Sequence, residues 1–263
     1  KHKVTHFVAV PQIYSALSSK IRGAKAILLR FLNPIRVCIS GAAPLTRKVH
    51  EGFEKTFGIH LIEGYGLTEC APVVSMNPEK ERRIGTVGKA LPGIELGIRD
   101  EEGKPLAQGE VGEIWVRGEN VMQGYYHKPQ ETAEALSPDG WLRSGDMGRL
   151  DGDGYLTIVD RKKDLIIIKG LNVYPQEVEN VLIKDERVKE VAVVGKMDPD
   201  TGEETIRAFL TVKEGQTVDK AALFALCREE LAPYKRPKEI IVIDAMPKNA
   251  LQKILKKELR VRP

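Results

Sequence analysis

The sequence predicts a mixed α/β chain with a truncated parallel α/β subdomain, an antiparallel β-subdomain and a small C-terminal α+β domain. Two changes in the pattern of apolar residues support this division. Short apolar runs first alternate with helical patterns and then give way to β-runs separated by turn dipeptides. In the last part, a helix that opens at a proline lies among further strands. These changes place the three parts at residues 1–84, 85–160 and 161–263.

The first part begins with the apolar run VTHFVAV, which is followed by the helical pattern PQIYSALSSKI. The runs IRVCIS and IHLIEGYG then flank a second helical pattern, LTRKVHEGFEKTFG. Strand–helix–strand order implies a parallel sheet with helical crossover connections. Ligands of such sheets bind beyond the carboxyl ends of the strands.

The second part contains the β-runs IELGIRD, GEIWVRG and GYLTIVD, with the turn signals DEEG and DGDG between them. The third part starts with the strand LIIIKG and a helix opened by Pro175. The strands KEVAVVG, IRAFLTVK and EIIVID and the helical pattern VDKAALFALCREEL complete it. At about a hundred residues, this part has the usual size of a domain.

Composition narrows the function classes. The 263 residues are 42% hydrophobic and carry a net charge of only +4, which gives no argument for nucleic acid as a partner. The three cysteines lie far apart without a CxxC motif, as is typical of a reducing compartment, so we expect the cytoplasm. No apolar run is long enough for a membrane span. The opening KHKVTHFVAV has neither a Met nor a signal-peptide pattern, which predicts that it continues a longer protein.

Two loops rich in small residues follow predicted strands, SGAAPL after IRVCI and EGYGLTE after IHLI. Both should leave the same edge of the sheet. The small side chains of the first loop would let a flat or extended ligand lie against the backbone, and the glycines around Tyr65 permit tight turns. Tyr65 itself is a candidate for stacking on a base. The small residues and glycines of these loops are Gly41, Ala42, Ala43, Gly64 and Gly66.

Thr68 and Glu69 follow at the end of the second loop. A hydroxyl and a carboxylate together suit Mg²⁺ that carries triphosphate oxygens. Taken alone, a Thr-Glu pair after a strand is more often the start of a helix. The presence of both loops favours the ligand-binding interpretation.

Further motifs extend the pattern over nearly the whole chain. They are GWLRSGD at residues 140–146, IVDRKKDLIIIKGLNVYPQEVE at 158–179 and MPKNALQKILKKELR at 246–260. Together with SGAAPL and EGYGLTECAP, they make the chain resemble the AMP-forming acyl-CoA synthetases, most closely the bacterial long-chain fatty acyl-CoA ligases. Enzymes of this family join a carboxylate to ATP as an acyl-adenylate and then pass the acyl group to the thiol of coenzyme A. The resemblance implies ATP, Mg²⁺, coenzyme A and a fatty acid as partners.

The resemblance also implies roles for single residues. Catalytic roles fall to Thr68, Glu69 and Lys253, with Glu69 as the metal ligand. Asp146 would accept hydrogen bonds from the ribose hydroxyls, a task that suits an acceptor-only carboxylate, whereas on its own it is more often a turn residue. Nucleotide binding is implied for Gly41, Ala42, Ala43, Glu63, Gly64, Tyr65, Gly66, Thr68, Asp146, Arg161 and Lys253.

The C-terminal part carries the remaining implied roles. Lys253 would neutralise charge at the α-phosphate, although Gln252 stands where the family usually has Gly. Arg161 would contact ribose or phosphate through its planar fork; alone, its basic cluster is usually a solvated face. The resemblance puts the hinge of a mobile C-terminal domain at Lys163. Coenzyme A is assigned to Gly170, Lys235 and Arg236.

The family's Ser/Thr/Gly-rich phosphate loop has no counterpart here, and no G-x-x-x-x-G-K-[ST] motif occurs. We therefore expect the C-terminal half of the enzyme, inactive as a fragment. The expected function is activation of a fatty acid to an acyl-adenylate and its transfer to coenzyme A. A medium-chain or aryl acid–CoA ligase and a non-catalytic nucleotide- or acyl-binding relative remain alternatives. Peripheral membrane association and a homodimer are left open.

Overall fold

The computed structural model describes residues 3–21, 23–32, 34–198, 202–249 and 253–262. The chain forms two compact units, Lys1–Ile158 and Val159–Pro263. The predicted mixed architecture of parallel α/β, antiparallel β and C-terminal α+β parts is confirmed. The proposed domain limits, including a division at residue 84 inside the first unit, stay a prediction.

The first unit opens with a five-stranded sheet in the order β1-β2-β3-β4-β5. Strands β1 to β3 run parallel, whereas β4 and β5 are antiparallel additions that the sequence did not predict. The helix α2 was also not predicted. The strands are β1 His6–Ala9, β2 Val37–Ser40, β3 His60–Gly66, β4 Val73–Met76 and β5 Lys89–Ala90, and the helices are α1 Pro11–Lys20, α2 Ala24–Leu32 and α3 Arg47–Phe57.

Local signals fix the helix beside this sheet. α3 begins after Thr46, whose Oγ1 accepts a hydrogen bond from the backbone N–H of Val49 at 3.4 Å. It ends at Phe57, and Gly58 caps it with a left-handed φ of 64°. Its buried aromatic face packs with Tyr14, whose hydroxyl donates to the carbonyls of Phe7 and Ile39. The hydrogen bonds attach α1, which contains Tyr14, to β1 and β2, and α3 packs on α1 through the Tyr14 ring.

The same unit continues into an antiparallel sheet in the order β6-β7-β8-β9, which carries the predicted β-runs. Its core contains Ile114, Val116, Leu142 and Leu156. The boundary between the two units falls inside β9. The elements are β6 Ile94–Arg99, β7 Gly112–Gly118, α4 Pro129–Ala135, β8 Leu142–Leu150 and β9 Leu156–Arg161.

The second unit holds a hairpin, β10-β11, and a three-stranded sheet, β12-β13-β14. β12 and β13 are antiparallel, and β13 and β14 are parallel. The strands are β10 Ile166–Ile168, β11 Leu171–Val173, β12 Val188–Met197, β13 Glu204–Val212 and β14 Glu239–Val242, and the helices are α5 Pro175–Leu182, α6 Lys220–Glu230 and α7 Lys256–Arg260.

Both faces of the three-stranded sheet are covered. Val193 of β12 packs in the cluster that holds the apolar residues of α5 and α6. Its neighbours Ala192 and Val194 pack in a second cluster with Leu259 of α7. Successive residues of a strand point to opposite faces, so the sheet lies between α5 and α6 on one side and α7 on the other. No described helix is long and apolar enough to cross a bilayer.

Candidate active site

Ser40 at the end of β2 pairs with Glu63 of β3, so SGAAPL and EGYGLTE lie at the same end of the parallel sheet. The prediction of a loop from residue 63 is wrong in one respect, because Glu63 to Gly66 belong to β3, which extends beyond β2 and pairs with β4. Glu63 is 8% exposed, and its Oε1 accepts a hydrogen bond from the backbone N–H of Leu45 at 3.1 Å. Burial raises the pKa of Glu63 to about 7, and the bond from Leu45 opposes that rise. This carboxyl group therefore ties the first loop to the strand that leads into the second.

Gly64 and Gly66 are needed for a reason that differs from the predicted tight turn. Neither has a positive φ. A Cβ on Gly66 would lie 2.1 Å from the carbonyl oxygen of Pro72, and one on Gly64 would lie 3.2 Å from that of Ser75. The glycines let the returning strand β4 approach β3 closely. The left-handed backbone belongs instead to Ala42 of the first loop, with a φ of 67°.

Tyr65 and Asp146, 81 residues apart in sequence, meet in this unit. The Tyr65 hydroxyl donates to Asp146 Oδ2 at 2.7 Å. The ring is buried, and burial raises the pKa of Tyr65 above its ordinary value, with the neighbouring Asp146 adding to the effect. Asp146 lies in β8, where its backbone N–H donates to Ser144 Oγ. A stacking role for Tyr65 and a ribose role for Asp146 stay predictions.

Thr68 and Glu69 lie in a short 3₁₀ helix, Thr68–Cys70, rather than at the start of an α-helix. A distant segment braces this turn. The Tyr125 hydroxyl donates to Glu69 Oε1 at 2.8 Å, and the Met122 N–H donates to the Glu69 carbonyl at 2.8 Å. Burial raises the pKa of Tyr125 to about 12, with the Glu69 carboxylate as the second cause. Sequence reasoning missed Tyr125 and Met122, which lie outside any recognised motif.

The donor chemistry of this turn fits the magnesium ion that the family resemblance implies. Glu69 is partly exposed and supplies a carboxylate, and Thr68 is exposed and supplies a hydroxyl. Hard oxygen ligands of this kind are those that Mg²⁺ prefers. In the part of the chain that the structure describes, no group of three or more His, Cys, Asp or Glu side chains is arranged for a metal ion. The fit therefore depends on Glu69 with Thr68.

Arg161 and the predicted hinge lie in the second unit. Arg161 ends β9, and its backbone N–H donates to Asp160 Oδ1 at 2.8 Å. Lys163 lies in a 3₁₀ helix, Lys162–Asp164. Its carbonyl accepts from Arg260 Nη2 of α7 at 3.3 Å, and the same nitrogen contacts Asp164 Oδ1 at 2.7 Å.

The coenzyme A candidates have contrasting surroundings. Gly170 turns the β10–β11 hairpin with a φ of 78°, and a Cβ there would meet nothing within 4 Å. Lys235 forms an ion pair with Glu177 at 2.7 Å. Arg236 donates to the carbonyls of Leu231 and Arg228, each at 3.0 Å. The two cations are thus engaged within the unit, and their role as phosphate ligands stays a prediction.

Lys253 stands at one end of a short closed turn. The Lys253 N–H donates to Asn249 Oδ1 at 2.9 Å, and the Asn249 N–H donates to the Lys253 carbonyl at 3.0 Å. Lys248 and Ile254 pair beyond them as an antiparallel bridge. Lys253 is exposed, and Gln252 lies outside the described residues. The sequence did not single out Asn249 as the residue that closes the turn.

Comparison with known proteins agrees with this architecture. The profile of the AMP-binding enzyme family matches residues 1–126, and that of the AMP-binding enzyme C-terminal domain matches residues 177–253. The chain belongs to the AMP-binding enzyme family.

Several curated relatives of this chain are CoA ligases. It is 42% identical to a long-chain-fatty-acid–CoA ligase of Bacillus subtilis and 40% identical to a sulfoacetate–CoA ligase of Cupriavidus necator, in both cases over 98% of this chain. The alignments cover 46% and 50% of those proteins, so the chain spans about half the length of the curated relatives it matches. The crystal structure of ATP-bound MatB from Rhodopseudomonas palustris superposes with a TM-score of 0.89 at 35% identity, over 98% of this chain and 50% of that one.

Proposed function

We propose that the full-length protein activates a fatty acid with ATP, as an acyl-adenylate, and then transfers the acyl group to coenzyme A. In the first step a carboxylate oxygen of the acid attacks the α-phosphorus of ATP, and pyrophosphate leaves. In the second step the thiol sulfur of coenzyme A attacks the acyl carbon, and AMP leaves. The cytoplasm is the compartment we propose for both steps.

The hydrogen bond between Tyr65 and Asp146 carries the nucleotide part of this proposal. Tyr65 lies three residues before Thr68, so the contact fixes the Thr68–Glu69 turn relative to the Asp146 carboxylate. A ribose needs acceptors for its hydroxyls, and a carboxylate offers only acceptors. An arrangement held before the ligand arrives lowers the cost of ordering it.

We assign charge stabilisation in the first step to Lys253. Negative charge is shared among the phosphoryl oxygens in the transition state, and a fixed ammonium lowers its energy. The hydrogen bonds between Asn249 and Lys253 restrict the backbone from which that ammonium extends. Bound Mg²⁺, held by Glu69, would neutralise further charge on the phosphates.

The substrate class is proposed from the relatives and from the small first loop. Gly41, Ala42 and Ala43 leave room beside the sheet, and each buried methylene of an alkyl chain contributes about 0.8 kcal/mol. The similarity to a long-chain-fatty-acid–CoA ligase of Bacillus subtilis supports a long-chain fatty acid as the substrate. The sulfoacetate–CoA ligase, nearly as similar, keeps short polar acids as a second candidate class.

The test is acid-dependent exchange of labelled pyrophosphate into ATP by the full-length protein. Saturated acids of two to eighteen carbons, sulfoacetate and benzoate are compared at equal concentration, and thioester formation is followed separately. Maximal exchange with an acid of twelve or more carbons is the expected result. A maximum on sulfoacetate or benzoate would replace the substrate class, and no exchange with any acid would favour a non-catalytic binding protein.

A further inference from the structure

Glu179 is a buried carboxylate outside the candidate site residues. It lies on α5, is 8% exposed, and its Oε1 accepts the backbone N–H of Val193 at 2.8 Å. The same oxygen lies 2.7 Å from the Nζ of Lys256. A carboxylate is rarely buried without a cationic partner, because removing its hydration is costly. The buried ion pair therefore restricts the positions of both the Glu179 and the Lys256 side chains.

Lys256 is the first residue of α7 and follows Lys253 by three positions. The ion pair thus fixes the end of the turn that presents Lys253. The Leu255 N–H, next to Lys256, donates to the Pro247 carbonyl at 2.8 Å and closes the base of the same turn.

The other arm of the turn has its own anchor. Lys248 Nζ lies 2.5 Å from Glu190 Oε1 on β12, and both side chains are about three-quarters buried. The two ion pairs hold the chain on either side of residues 249–253. Of the two acidic partners, Glu179 is the more buried, with a side chain 11% exposed against 27% for Glu190.

We propose that Glu179 and Lys256 are positioning residues for Lys253. The pair sets the register of α7 and with it the place from which Lys253 extends toward the reacting phosphate. This inference rests on the proposed function for its catalytic consequence, but its structural part does not. A displacement of a reacting group by about 1 Å can lower a reaction rate by about 100-fold. The position that the buried ion pair gives to Lys253 should therefore affect the rate of adenylation.

The structural part is tested by amide hydrogen exchange in the full-length protein. Lys256→Met removes the ammonium but keeps a long apolar stem, Lys256→Arg keeps a cation, and Lys257→Met is the matched control at an exposed neighbour. The Lys253 and Leu255 amides should exchange at least about tenfold faster in Lys256→Met, and at the normal rate in the other two variants. The β13 amides report whether the unit itself stays folded.

The catalytic part is tested on the two half-reactions of the same variants. Lys256→Met should lower kcat of pyrophosphate exchange by about 10- to 100-fold with little change in the KM for ATP. Thioester formation from supplied acyl-adenylate should change less than about twofold, and Lys256→Arg should restore most of the exchange. Glu179→Gln, which keeps the acceptor for Val193, should reproduce the selective loss.

Unchanged protection at Lys253 and Leu255 in Lys256→Met would overturn the proposal. An equal fall in both half-reactions would overturn it as well, because it would indicate a general structural role. If the unmodified full-length protein showed no pyrophosphate exchange with any of the acids, the proposed function would be wrong. The hydrogen-exchange comparison would then still decide whether the ion pair positions the turn.

Discussion

Replacing Glu63 by Gln tests whether burial between the two loops of the candidate site raises the pKa of this carboxyl group. The substitution keeps the shape of the side chain and an oxygen that can accept from the Leu45 N–H. It removes the ability to ionise. The stability of the first unit should therefore lose part of its dependence on pH.

The direction follows from proton binding. Burial raises the pKa of Glu63 to about 7 from an ordinary value of 4.5, so between these values the folded protein holds a proton that the unfolded chain releases. Stability falls with rising pH where the folded state binds more protons, and it becomes constant above the folded pKa. The shift corresponds to a loss of about 2 to 3 kcal/mol between about pH 5 and pH 8.5.

Tryptophan fluorescence during urea unfolding measures this loss in the correct unit. The chain has two tryptophans, Trp115 and Trp141, and both are buried in the unit that contains Glu63. The free energies of unfolding of the wild-type protein and of the Glu63→Gln variant are compared from about pH 5 to pH 8.5. Glu101→Gln, at an exposed turn residue, is the matched control.

The informative quantity is the difference between two pH profiles, because any constant cost of burying the Gln amide cancels. The free energy of Glu63→Gln relative to the normal protein should rise by about 2 to 3 kcal/mol over this range. Parallel profiles for the two proteins would refute the reasoning. They would show that the carboxyl titrates alike in the folded and unfolded chains.

Four further substitutions test separate features. Lys253→Ala should slow pyrophosphate exchange by about 100-fold and spare thioester formation from supplied acyl-adenylate; equal losses in stopped-flow assays would argue against alternation between two arrangements. Lys163→Pro, which fixes φ near −65°, should lower one half-reaction much more than the other in the same assays. Gly66→Ala places a methyl group 2.1 Å from a backbone carbonyl and should lower urea-unfolding stability by about 1 to 3 kcal/mol, and an unchanged midpoint would contradict this. Tyr125→Phe removes the hydrogen bond to Glu69 and, because the site is exposed, should lower the free energy of unfolding by only about 0.5 kcal/mol in the same measurement.

Sequence reasoning predicted the elements whose signals are local. The strand within VTHFVAV and the helix within LTRKVHEGFEKTFG follow from the spacing of apolar residues, and both are present. α2, at Ala24–Leu32, was not predicted because its apolar run is almost continuous. Period alone cannot distinguish a buried helix from a strand in such a run. β4 depends on a left-handed residue, Ala71, that reverses the chain without a glycine or a turn dipeptide.

The candidate site divides in the same way. Thr68 and Glu69 lie within one motif and could be named from the sequence. Tyr125 contacts Glu69 from 56 residues away, and nothing in its own neighbourhood indicates that contact. Glu179 lies inside a recognised motif, yet its burial beside Lys256 depends on how α5 and α7 cover the sheet. Such contacts are set by tertiary packing, which the spacing of apolar residues along the chain does not reveal.

The contact of Arg260 with the Lys163 carbonyl and with Asp164 has a mechanical consequence. If the second unit turns about Lys163, the chain after that residue stays bound to the guanidinium group of Arg260 on α7. A rotation centred at or beyond Asp164 would have to break a 2.7 Å contact or carry α7 with it. Ahead of Lys163, Asp160 Oδ2 accepts a hydrogen bond from the backbone N–H of Gln176 in α5 at 2.7 Å. A rotation about Lys163 would therefore also have to break this bond or begin before Asp160.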